Sequence, residues 1–60
     1  MNKIKAARNK AKLTQWQLAV EVGVSKNHIS AVEREFKAAS IKLLRKIAKV
    51  LDVHVGELID

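Results

Sequence analysis

Gly23, Val24 and Ser25 stand between two apolar runs at helical spacing, and the shortness of that gap constrains this sequence more than any other feature. Upstream, Leu18, Ala19 and Val22 recur at i, i+1 and i+4, one buried stripe of a helix. Thr14 opens that helix, because its hydroxyl can accept from a first-turn amide that has no partner inside the helix. Gly23 closes it, since glycine alone enters the left-handed conformation cheaply. Ser25 is again an N-cap, and its helix turns Ile29 and Val32 inward while Lys26, Asn27, Ala31 and Arg34 face outward. Two capped helices this close have no room to run antiparallel. They must cross steeply.

The rest of the chain supplies what such a pair needs to pack against. Asn2 to Lys12 places Ile4, Ala7, Arg8 and Ala11 at helical spacing; Ala7 implies either close approach or loose packing. Glu35 to Ala39 has no glycine or proline, but Ser40 is a plausible N-cap and a new apolar phase starts at Ile41. From Ile41 to Leu51 the residues Ile41, Leu44, Ile47, Ala48 and Leu51 share a stripe, and Asp52 ends it. His54 then starts a short last helix with Val55, Leu58 and Ile59, and Val53 reaches back to the core. The pattern is all-α: a compact five-helix domain over residues 1–60, with a helix-turn-helix in its second and third helices.

Sixty residues bury only ~60% of their unfolded surface, so stability is marginal without a partner. The 48% of hydrophobic residues still suffices for a helical core and argues against disorder. With no cysteine or proline, a disulfide framework and a thiolate zinc site are excluded. Apolar runs of a few residues cannot span a bilayer, and no cleavable signal opens the chain. A cytoplasmic, nucleoid-associated protein is expected.

Twelve basic residues against six acidic ones give a formal net charge of +6. The first twenty residues hold Lys3, Lys5, Arg8, Lys10 and Lys12 and no acid, whereas Val50 onward holds Asp52, Glu57 and Asp60 and no base. This order implies one positive and one mildly negative end, and a positive pole suits a polyanion. Charge alone leaves equal room for lysines that merely solvate helix surfaces.

Leu13-Thr14-Gln15, Leu18-Ala19, Gly23-Val24-Ser25, Ile29-Ser30 and Glu33-Arg34 together resemble the phage-repressor type of helix-turn-helix, which includes the Cro and lambda-repressor DNA-binding domains. Leu44, Lys46-Ile47-Ala48-Lys49, Leu51 and Glu57-Leu58 fit the later helices of the same domain, so the likeness covers essentially the whole chain. The resemblance implies base contacts from Lys26, Asn27 and Ala31, with Ser30 beside them. It implies backbone contacts from Gln15, Ser25 and His28, with Arg34 near the far end of the recognition helix, and an internal salt bridge between Arg8 and Glu33. The chain departs from the family at Lys12 and Glu35, where glycine is common, and at Ala39, where proline is usual. Glu35 leaves open whether the third helix stops at Arg34 or runs on toward Phe36.

The chemistry of those positions is consistent with major-groove reading. Asn27 can pair with adenine, Lys26 can donate to guanine and the Ala31 methyl suits thymine, although alanine is also the default helix filler. The amino ends of the second and third helices suit phosphates, and Lys10, Lys37, Lys42 and Arg34 would add salt-dependent affinity. Trp16, Val20 and Phe36 fit less well. Either they cover the small Ala7 and Ala11 side of the first helix, or they mark a protein contact. Val55, Leu58 and Ile59 either close the core or form a dimer surface. His28 and His54 have no ligand set around them, and no nucleophile, base and acid can be assembled. The reading is a non-enzymatic regulator, a repressor, binding double-stranded DNA as a homodimer that is weak without DNA. It needs no cofactor, metal, membrane or small-molecule ligand. The competing reading is a protein-interaction module such as an antitoxin.

Overall fold

The computed structural model describes residues 3–59, and among them it contains four α-helices, two short 3-10 turns and no strand. α1 is Lys3–Lys10, α2 Gln15–Val22, α3 Lys26–Arg34 and α4 Ile41–Leu51; the 3-10 turns are Phe36–Ala38 and Val55–Leu58. Asn2, where the sequence pattern starts the first helix, lies outside the described residues.

The starts of α2, α3 and α4 are made by the residues that the sequence offers for them. Thr14 Oγ1 accepts from the Gln17 amide at 3.0 Å, and Gln17 Oε1 accepts in return from the Thr14 amide at 2.8 Å. This reciprocal pair satisfies two amides at the mouth of α2. Ser25 and Ser40 accept from the amides of His28 and Leu43, each at 3.1 Å. Gly23 ends α2 at φ 84°, its amide donating to the Ala19 carbonyl at 2.8 Å. A Cβ there would meet nothing within 4 Å, so the backbone angle and not space selects glycine.

The two unusual loop residues behave differently from each other. Lys12 keeps the left-handed conformation at φ 60°, as a lysine where glycine would be unstrained. Glu35 has φ −141° and ψ 107°, an extended conformation open to any residue. α3 therefore stops at Arg34, and Phe36–Ala38 forms a separate 3-10 turn.

α2 packs on α3 and α4, while α1 lies against α3 and the last turn. The core is shared among Ile4, Leu18, Ile29, Val32, Leu44, Ile47 and Leu58, all essentially fully buried. Three expectations need correction. The fifth helix is a single 3-10 turn, with Glu57 donating to the His54 carbonyl at 2.9 Å; Gly56 at its centre disfavours an α-helix. Ile41 is 58% exposed, and Leu43 is buried instead. At about 100° per residue, Ile41 stands roughly 90° from the centre of the Leu44, Ile47 and Leu51 stripe, and its Cβ tilts off the helix start. The third concerns charge. α1 contacts the last turn, and Lys3 and Lys10 line one depression with Asp52 and Glu57, so the ends of the sequence are not separate poles.

Candidate nucleic-acid interface

Among the described residues, the outward face of α3 is neither apolar nor mainly lysine, and the capped start of α3 opens beside it. Ile29, Val32 and Glu33 are buried, which fixes the rotation of the helix. The opposite side carries Asn27, Ser30, Ala31 and Arg34 in one line, with Asn27 and Arg34 exposed and the two small residues half-buried between them. Lys26 and His28 are exposed on either flank of the first turn. The result is a convex ridge that is low in the middle, where Ala31 lets a partner approach closely. Such a ridge suits a groove.

Glu33 holds this ridge in place. Arg8 Nε donates to Glu33 Oε2 at 2.6 Å, and the second guanidinium arm donates to Oε1 at 3.2 Å. Gln15 Nε2 donates to the same Oε1 at 3.0 Å, and Arg8 Nη1 donates to the Leu13 carbonyl at 2.8 Å. One buried carboxylate thus ties α1, the loop before α2, the first residue of α2 and the end of α3. Arg8 is 8% and Glu33 5% exposed, so both charges rely on each other. Gln15 is half-buried and keeps a second N–H beyond the one used for bracing.

The other sites expected from the sequence are placed as follows. Ser25 is exposed at the start of α3, where its hydroxyl caps the helix. Lys37 lies on the 3-10 turn that contacts α3, and Lys42 on the first turn of α4; both are exposed. Lys10 lines the depression that holds Asp52 and Glu57, where none of the other residues expected to contact the DNA backbone is found. Ala31, Arg34, Glu35 and Ala38 line a shallow hollow, which puts an acid at the far end of the ridge. Glu35, which the sequence marks as a departure from the family for the shape of this loop, thus also brings its charge to the ridge.

Among the apolar residues, the expected cluster separates. Trp16 and Val20 are 66% and 64% exposed and do not cover Ala7 and Ala11. Phe36 is half-buried and packs against the core, so less of it is open to a partner than of Trp16 or Val20. Leu58 is fully buried and leaves the proposed dimer surface, because it fills the space between α1 and α4. Val55 is half-buried on the core and Ile59 is 44% exposed. His54 starts the last turn through its backbone, the Glu57 carboxylate accepting from its amide at 2.8 Å.

The packed α2–α3 pair, joined through Gly23, Val24 and Ser25 and carrying an outward ridge, defines a helix-turn-helix domain. A family model described as Helix-turn-helix matches residues 4–58, and the chain belongs to that family. It is 37% identical over 59 residues to the HTH-type transcriptional regulator SinR of Bacillus subtilis, covering 97% of this chain and 53% of that protein. It is 33% identical over 57 residues to the Immunity repressor protein of Bacillus phage phi105, covering 95% of this chain and 40% of the other. An uncharacterized HTH-type transcriptional regulator of Methanocaldococcus jannaschii is 40% identical over 57 residues, covering 95% of this chain and 86% of that protein. The chain spans about half the length of the first of these and less of the second. No solved structure gives a significant match.

Proposed function

We propose that this chain binds a specific site on double-stranded DNA, with α3 in the major groove, and that it represses transcription by doing so. The observation that carries the reading is the ridge from Asn27 through Ala31 to Arg34, fixed in rotation by the buried Glu33 on its other side. Asn27 reads adenine, Lys26 donates to guanine acceptors and Ala31 rests against a thymine methyl, with Ser30 beside it. Gln15 and Ser25 bring two helix amino ends to the phosphates, where unpaired amides and helix dipoles favour an anion. Arg34, Lys37 and Lys42 add counterion release. The names of the relatives, which are regulators and a phage repressor, support the same reading.

Two copies on a two-fold site would place their ridges one DNA turn apart. Ile59 and Val55 are the apolar residues of the last turn left for their contact, a small surface that fits association completed on DNA. Among the described residues no helix is long and apolar enough to cross a membrane.

Selection from random duplexes, followed by salt titration on selected and scrambled sites, tests the reading. A recovered two-fold motif with a steep salt slope is the expected result. Equal affinity for selected and scrambled duplexes would overturn it.

A further inference from the structure

We propose that the outer face of α2 around Trp16 and Val20 docks an acidic amphipathic helix of a partner protein. This goes beyond the reading of α3 as the DNA-facing ridge and does not depend on it. Single exposed apolar residues are ordinary on a protein surface. These two are different, because they stand one turn apart on the same helix and both are about two-thirds exposed. They also form one wall of a groove whose floor includes the half-buried Leu13 and Val50. A row of apolar side chains spaced by one helical turn would lie along that wall.

The rim identifies the partner's charge. The groove shares Glu21 and Val50 with a neighbouring hollow lined by Lys46 and Lys49, and Trp16 and Val20 share another with Lys26. Three lysines therefore border the apolar strip against the one acid Glu21, and none of the three has an ion pair within the described residues. A second copy would bring the same lysines face to face, in a chain whose net charge is already +6. Duplex DNA satisfies the lysines but has no apolar row to set against Trp16 and Val20. An acidic helix with an apolar stripe satisfies both, and tryptophan is among the side chains that most often dominate such contacts.

Trp16 is the sole tryptophan and there is no tyrosine, so the emission of the full chain reports on this face alone. The probes are a synthetic helical peptide with leucines at i, i+4 spacing flanked by glutamates, and the same peptide with lysines for glutamates. The glutamate peptide is expected to shift Trp16 emission to the blue and protect it from acrylamide, while the lysine peptide does neither. By anisotropy of labelled peptide, Trp16→Ala is expected to weaken binding about thirtyfold, the scale of an aromatic anchor. Lys46→Gln with Lys49→Gln should remove most of the salt dependence. Val20→Ser should weaken peptide binding with an unchanged melting curve and unchanged affinity for the selected duplex. Three results would overturn the proposal: equal binding of both peptides, a blue shift with protein concentration alone, or equal shielding of Trp16 by duplex DNA alone.

Discussion

Glu33 shows how one carboxylate can be structural while standing next to the residues proposed to face DNA. Three N–H groups, from Arg8 and Gln15, converge on its two oxygens at 2.6, 3.0 and 3.2 Å. Its partner Arg8 is buried as well, so Glu33→Ala leaves a guanidinium without its counter-charge and is expected to cost about 3 kcal/mol. In a domain this small that is a large share of total stability. Replacing both charges, as Arg8→Met with Glu33→Leu, should recover most of the loss, because the pair itself contributes little once its desolvation is counted. Urea denaturation of the single and double variants checks this; a double variant no more stable than Glu33→Ala would show that the bonds to Gln15 and the Leu13 carbonyl matter more. Lys12 and Gly23 form a second contrast. At Lys12 glycine would relieve about 1–2 kcal/mol of left-handed strain against about 0.4–1 kcal/mol of added unfolded-chain entropy. Lys12→Gly should therefore raise stability by about 0.5 kcal/mol, and Gly23→Ala should lower it by a similar amount, since nothing crowds a Cβ at Gly23. Opposite shifts in the melting midpoints of the two variants are the expected outcome.

At the scale of elements, what was readable depended on whether a local rule decided the geometry. The turn between α2 and α3 was readable because one residue separates a left-handed glycine from a capping serine, and both act through their own backbone and side chain. The end of α4 at Asp52 was readable for the same reason: a short polar side chain tolerates φ 57°. Ile41 was not, because Ile41 lies at helical spacing from Leu44 and Leu43 from Ile47, and the elements packed on α4 decide which side is covered. The 3-10 turn at Phe36–Ala38 was invisible in composition, since no glycine or proline marks it and it is held by Ala38 and Ala39 amides bonding back to Glu35 and Phe36 carbonyls. The ridge of α3 was legible as a face, whereas the convergence of Gln15, Arg8 and Glu33 joins three elements and needed the fold. Ser25 works at both levels. Ser25→Ala should lose about 1 kcal/mol of helix stability from the missing cap, and also weaken binding to selected duplex through loss of the phosphate contact proposed for its hydroxyl. Ser25→Asp restores the cap but sets a negative charge at that phosphate. Recovered stability without recovered affinity, read by melting and by DNA titration of both variants, separates the two roles.

For the whole molecule, the distribution of charge is what the linear order misrepresents. The basic start and acidic end meet where α1 touches the last turn, and Lys3 and Lys10 there share a depression with Asp52 and Glu57. Of the other exposed cations, Lys5 and Lys12 belong to α1 and the loop after it and Lys26 to the start of α3, while Arg34 and Lys37 stand at the end of α3 and its following turn and Lys42, Arg45, Lys46 and Lys49 on the outer side of α4, a helix that contains no acid. DNA affinity should therefore respond unequally to neutralising lysines that count equally in the net charge. Lys37→Gln and Lys42→Gln should each flatten the plot of log affinity against log salt by about 1, without changing which site is preferred. Lys10→Gln should leave the slope unchanged, because its surroundings already hold two carboxylates. Asn27→Ala should do the reverse of the lysine variants, costing about 1–3 kcal/mol on the preferred site and relaxing choice at one base pair while the slope stays the same. Salt titrations of the four variants on selected and scrambled duplexes distinguish these outcomes. Equal slope changes at positions 10, 37 and 42 would mean that net charge, and not its placement around α3, governs binding.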